Sequence, residues 1–335
     1  MNKRTVTFGA AVFLYAVFSL YIYHPFFSVS NPVRNVIALN FLLASAGCFV
    51  LSRRWVIPFG ASFFAGLLYG FGPFLIYLGN YHPAAGTIAG LVPWFFCVSS
   101  YGAGRRFKWL GVIFSVLPFA MIIGFCAAAV HLRLFAAPCR LRIEWMDLVS
   151  IVSAPAAANR NLILLGFYHV PLICLFAGLR LMIIRKRWGV FILIAAGVAG
   201  AFLPPIVGVS PILWLSVPFC CLSVIIGAGH EGLLYATGGE RRLLLILSLI
   251  MAGFSIASFL MATKCAYIFA GLGTGYVRLF AFSGKMHALT AVAGGIFYFL
   301  AGLKTHTLVF RSAVLWTALL LDVFFSAVMV ADKVF

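Results

Sequence analysis

The sequence predicts an all-α polytopic membrane protein, a transmembrane helical bundle of about twelve spans, and three observations carry that prediction. First, 64% of the 335 residues are hydrophobic and only 9% are charged, where a soluble domain carries about 25% charged residues. The mean hydropathy is +1.12. Second, the apolar residues gather into runs of bilayer length joined by short loops. Third, 24 Lys and Arg stand against 6 Asp and Glu, clustered between the runs, as topology signals are. These features exclude an ordinary soluble enzyme and a disordered, collagenous or disulfide-framework chain. A net charge of +18 would suggest nucleic acid in a soluble protein. Here no basic stripe is interleaved with exposed aromatics, so no nucleic-acid partner is expected.

Crossing the hydrocarbon takes about 17–25 apolar residues. Such runs cover 8–28, 35–52, 56–79, 84–103, 109–130, 161–184, 188–206, 210–229, 243–263, 265–284, 286–303 and 310–331. The first follows Lys3 and Arg4 and lacks a small-x-small cleavage site, so it reads as an uncleaved signal anchor. With the N-terminus in the cytoplasm, 16 of the 24 basic residues fall inward and 8 outward, which puts both termini on the cytoplasmic side. Pro73, Pro93, Pro118, Pro171 and Pro218 lie inside spans and should kink them. Gly66 with Gly70, and Ala196 with Gly200, form small-xxx-small pairs that allow close helix contact. Cys48, Cys97, Cys126, Cys174, Cys220 and Cys221 fall inside apolar runs and act as small hydrophobes. Only Cys139 and Cys265 approach the outer surface, and without a CxxC pair neither zinc nor thiol-redox chemistry is indicated.

The chain 1–335 therefore reads as one integral-membrane domain. Its loops are short except for 131–160, which faces out. There Leu141, Trp145, Leu148 and Val152 recur at steps of four, three and four, on one helical face. Arg140, Arg142, Glu144 and Asp147 accompany them. An amphipathic helix in the outer interface fits this pattern. The polar–apolar alternation of 140–145 also fits a short strand.

Chemistry has few residues to work with. In the span 265–284, Gly271, Gly273 and Gly275 stand at alternate positions. Each weakens a helix by about 1 kcal/mol relative to Ala. Helix breaks at membrane depth are tolerated beside protein or a water-filled cavity, and carriers use them to build ligand sites. Arg278 follows this stretch, and Asp322 lies near the middle of its own span at a similar depth. The economical expectation is that the two pair, with Arg278 binding an anion and Asp322 competing for it. The bland alternatives are an Arg278 that snorkels to the interface and a static ion pair. His169 lies near mid-membrane with Tyr168 and Pro171, as a proton-relay site or a hydrogen-bonded packing residue. His230 and His287, both toward the inner side, are candidate axial ligands of a haem b between two spans. Glu144 and Asp147, flanked by Arg140 and Arg142, are candidates for a general base acting near a phosphate-bearing lipid, or else the polar face of an interfacial helix.

Residues 69–94, YGFGPFLIYLGNYHPAAGTIAGLVPW, resemble a recurring inner segment of the GT-C-type membrane glycosyltransferases. The matching positions are Phe71, Pro73, Gly79, His82 and Pro93. The resemblance implies a lipid-linked sugar transferase. That family usually carries an acidic residue in its first outer loop. Residues 26–34 contain no Asp or Glu, so Glu144 or Asp147 would take that role from a different loop.

Three functional readings follow. The favoured one is a secondary carrier for a small anionic solute in a bacterial-type cytoplasmic membrane, without a cofactor, its site formed by Arg278, Asp322, Gly273, Gly275 and His169. The second is the lipid-linked transferase or a related membrane enzyme using 131–160. The third is a non-catalytic or haem-holding subunit of a membrane complex. No nucleotide-binding motif is present, so the chain alone is not expected to run on ATP.

Overall fold

The computed structural model describes residues 3–27, 32–55, 58–102, 108–134, 143–205, 209–273, 275–303 and 308–335, and among these every extended regular element is helical. The first six helices are α1 (Lys3–Tyr23), α2 (Pro32–Arg54), α3 (Phe59–Gly70), α4 (Pro73–Tyr81), α5 (Pro83–Gly102) and α6 (Lys108–His131). Two short helices follow, α7 (Val149–Val152) and α8 (Ala154–Ala158). Then come α9 (His169–Ile184), α10 (Trp188–Ala201), α11 (Ser216–Leu234), α12 (Arg241–Thr263), α13 (Ala266–Phe269), α14 (Tyr276–Gly302) and α15 (Leu308–Val334).

Among the described residues, seven helical stretches are long and apolar enough to cross a membrane: Thr5–Phe26, Asn35–Arg54, Phe59–Tyr81, Pro83–Ser100, Pro211–Leu234, Gly238–Thr263 and Leu308–Val334. Val116–His131, His169–Ile184 and Trp188–Ala201 are shorter apolar helices. The chain is a multi-pass helical membrane protein.

Four expected spans take a different form. The stretch 56–79 breaks after Gly70, because Pro73 supplies no N–H and disfavours helix at Gly72. The stretch 161–184 is helical only from His169, and 162–168 form no regular secondary structure. The two spans expected at 265–284 and 286–303 are replaced by short turns and one 27-residue helix, α14. Gly284 breaks nothing there. A Cβ on it would stand 2.9 Å from the Phe259 ring, so the glycine admits that ring between α14 and α12.

The chain folds as two compact units. The first comprises Met1–Phe71, Leu78–Ile143 and Trp188–Val224. Its core is α2 against α3 and α5. The close approach of α2 and α3 uses the Gly66 and Gly70 pair, whose hypothetical Cβ atoms would fall 2.6 Å from Ser45 O and Phe41 O. Buried polar side chains in this unit close onto backbone carbonyls. Tyr15 Oη donates to Phe63 O at 2.7 Å, Tyr69 Oη to Ala89 O at 2.6 Å, and Asn40 Nδ2 to Gly86 O at 2.8 Å. Such bonds matter where no water can substitute. Cys48, Cys97, Cys126, Cys220 and Cys221 are buried here, while Cys139 lies outside the described residues.

The second unit comprises Gly72–Tyr77, Glu144–Arg187 and Ile225–Phe335. Here α12 lies along α14, and α9 and α15 pack on the pair. A close approach that the sequence does not announce joins α9 to the second half of α11. Gly178 sits against Ile225 O, and Gly229 against Cys174 O, each so close that a Cβ would overlap the carbonyl.

Candidate functional site

The site is built from the second unit, starting at the connection 144–168. Glu144 and Asp147 form a capping box on the 3₁₀ turn Trp145–Leu148: the Glu144 N–H donates to Asp147 Oδ2 at 2.7 Å, and the Asp147 N–H returns to the Glu144 side chain. The other Asp147 oxygen accepts the Ile163 N–H at 2.8 Å. Ser150 Oγ accepts the Leu165 N–H at 2.7 Å. These two side chains thus satisfy two N–H groups of the stretch 162–168, which has neither helix nor strand to do so. Gly166 lets that stretch lie directly on Ser150 O. Burial pushes the Asp147 carboxyl above its ordinary range, with the N–H bonds from Glu144 and Ile163 acting the other way. The folded state then holds this proton more tightly than the unfolded chain. Asp147 therefore favours folding more as the pH falls through the raised value, and less above it.

The irregular stretch 162–168 delivers the chain to α9, which begins at the buried His169. Its first turn meets Asp322 from α15. His169 Nδ1 donates to Asp322 Oδ1 at 2.7 Å, and the Val170 N–H donates to Asp322 Oδ2 at 2.7 Å. Ser326 Oγ, one turn along α15, donates to Asp322 Oδ1 at 3.1 Å. The carboxylate therefore occupies the positive end of a helix dipole as well as facing an imidazole. Asp322 and His287 are 0% exposed and His169 is 2% exposed. His287, from α14, places its ring 4.7 Å from that of His169, nearly perpendicular at 78°. Its Nε2 donates to Val152 O at 2.9 Å. Phe282 meets the His169 ring edge-on, and Phe254 stacks on His287. One residue past Val152, Ser153 Oγ hydrogen-bonds Ser283 Oγ at 2.7 Å. A carboxylate, two imidazoles and three hydroxyls from α9, α14, α15 and the cap of α8 are thus gathered at the start of α9, beside aromatic rings.

The expected Arg278–Asp322 pair does not form. Because α14 begins at Tyr276, Arg278 lies in its first turn and is exposed. It stands about 13 Å along the axis from His287, at 1.5 Å per residue. The glycines before it serve a turn rather than a mid-span break. Gly273 has φ 91°, a left-handed conformation open to glycine, and Asn159 Nδ2 donates to the neighbouring Leu272 O at 2.7 Å. Gly275 is the N-cap of α14. His230 packs against Trp316, with ring centres 5.3 Å apart, while His287 is engaged with Val152 O and His169, so the two candidate haem ligands have separate surroundings. The Glu144 and Asp147 pair forms a capping box at the start of a helical turn, and Trp145 and Leu148 are exposed around it. Arg140 and Arg142 lie outside the described residues. Of the positions that resemble the glycosyltransferase segment, Phe71 and Pro73 flank the α3–α4 break, His82 sits in the α4–α5 turn, and Pro93 lies inside α5.

Several residues of this unit escape a reading of the sequence. Ser326, Ser153, Ser283 and Val152 O carry no pattern that marks them. Arg311 reads as a flanking charge, yet it is 7% exposed. Its Nη1 donates to Leu234 O at 3.3 Å and Ala236 O at 2.6 Å, and its Nη2 to Leu300 O at 2.7 Å. It thereby closes the carbonyl ends of α11 and α14.

No protein-family model matches the chain, and neither does any curated protein or solved structure.

Proposed function

We propose that the chain is a secondary carrier for a small solute in the cytoplasmic membrane, with Asp322, His169 and His287 as its solute site. One observation carries this reading: α9 starts inside the bundle, and its first turn meets a fully buried carboxylate and imidazole. Discontinuous helices whose ends face ionisable groups are how carriers form sites at membrane depth. Ionisable residues there are costly and are kept for function. The exposed Arg278 supports no anion site, so the solute is not assigned a negative charge. Of the two candidate bases of the transferase reading, Glu144 is exposed and Asp147 is buried. Both Asp147 oxygens are committed to backbone N–H groups, which supports a structural role. A cysteine at Ser326 tests the carrier reading, because a carrier must open that position to water from each side in turn.

The same unit supports a topology. Arg180 near the end of α9 pairs with Glu240 at 3.1 Å, just before α12. The Arg241 guanidinium stacks on Tyr298, near the end of α14, at 4.4 Å. Arg311, at the start of α15, reaches the ends of α11 and α14. These helix ends therefore share one side with Arg185, Lys186, Arg187 and Arg242, and the basic side is the cytoplasmic one. From it α15 runs away, so the C-terminus faces out. In intact cells, an impermeant thiol reagent should label Lys333→Cys and spare Lys186→Cys. Labelling of both, or of Lys186→Cys alone, would contradict this orientation.

A further inference from the structure

We propose that His169 and His287 together bind a divalent transition-metal cation of the Zn2+ class, and that this ion is the solute carried. The assignment rests on the carrier reading above. A neutral imidazole offers one N–H and one lone pair. His169 Nδ1 faces a carboxylate and His287 Nε2 faces a carbonyl. Both partners only accept, so both of those nitrogens carry the proton. The lone pairs are then on Nε2 of His169 and Nδ1 of His287. His287 Nδ1 is buried and has no hydrogen-bond partner.

The groups behind the two rings say what ligand fits. A metal-binding histidine almost always hands its other N–H to a carboxylate or a backbone carbonyl, which fixes the ring and raises its basicity. Here the pair shows one of each, Asp322 and Val152 O. The ring centres lie 4.7 Å apart, and an ion shared by the two rings would take metal–nitrogen bonds of about 2.0–2.1 Å. Imidazole nitrogen suits Zn2+ and its neighbours over Mg2+ or Ca2+, which take oxygen. The Asp322 carboxylate supplies negative charge behind the site. Two protein ligands fall short of the four that close a structural zinc site. Water would complete the shell, and a cargo ion has to be released.

The test uses the purified full-length chain in detergent, equilibrated with Zn2+ against a chromogenic chelator. Wild type should bind one ion that His287→Gln binds at least tenfold more weakly. Asp322→Asn, acting through His169, should weaken it about 10–100-fold. His230→Gln, altering a histidine that packs on Trp316, should leave binding unchanged. Co2+ bound to wild type should show the absorption of a nitrogen-ligated ion, a readout that needs no variant to fold. The inference is overturned if wild type binds no more Zn2+ than His287→Gln, or if the Co2+ spectrum shows oxygen ligands alone. If Zn2+ fails to bind while a cysteine at Ser326 still opens to both sides, only the ion is wrong. If that cysteine is inert from both sides, the carrier reading fails with it.

Discussion

Asp322→Ala should abolish most of the folded yield in detergent and lower stability by about 3 kcal/mol or more, since hydrogen bonds to a charged group each contribute about 1.5–3 kcal/mol. The carboxylate answers His169 Nδ1, the Val170 N–H and Ser326 Oγ at once. Without it, the first turn of α9 keeps a buried N–H that nothing else in the cluster can satisfy. Asp322→Asn should behave differently. Its carbonyl can still accept the Val170 N–H, and its amide can donate to His169 once that ring changes tautomer. The amide variant should therefore fold with a loss of about 1 kcal/mol and yet fail as a site, because the negative charge is gone. Removing both partners, as Asp322→Val with His169→Phe, should cost less than the two single losses added together. Thermal unfolding of the four proteins measures this. Simple addition would mean that the pair does not act as a unit.

Arg311→Met should be the next most damaging change, costing about 3 kcal/mol or more, since hydrogen bonds to a charged group each contribute about 1.5–3 kcal/mol. The guanidinium fork serves Leu234 O, Ala236 O and Leu300 O. The last carbonyls of a helix have no partner within it, and here one side chain satisfies those of two helices. Arg311→Lys should recover only part of the loss, because an ammonium is a single point where the fork reaches in two directions. Detergent unfolding temperatures should rank wild type above the Lys variant and the Lys variant above Met. Equal stability of all three would mean that water, not Arg311, satisfies those carbonyls.

Helices are legible wherever the apolar run is long and flanked by charge. The bounds of α2, α12 and α15 lie within a few residues of the expected spans. Asp322 and His169 stand out by depth alone, because an ionisable group in the middle of an apolar run is conspicuous. Their pairing is not legible. Depth along 265–284 can be counted from the sequence only as though that span crossed the membrane. With α14 starting at Tyr276, Arg278 moves to a helix end and His287 moves inward to the cluster. The break at 162–168 is hidden for a similar reason. Leu162, Ile163, Leu164 and Leu165 read as helix by hydropathy. What takes their N–H groups out of a helix is Asp147 and Ser150, some 15 residues earlier, and local periodicity carries no trace of such acceptors. Gly166 is the one local hint, since only a residue without Cβ fits against Ser150 O.

The most direct measurement of the central claim needs no knowledge of the solute. Ser326 is 0% exposed and bonded to Asp322. In a cysteine-free background, Ser326→Cys would be treated with a small, charged thiol reagent in right-side-out and in inverted vesicles. A carrier exposes its site to each side in turn, so the account predicts labelling from both sides, slowed by a bound solute. A cysteine that stays inert from both sides while the protein is folded would contradict it, and Asp322, His169 and His287 would then be a static core.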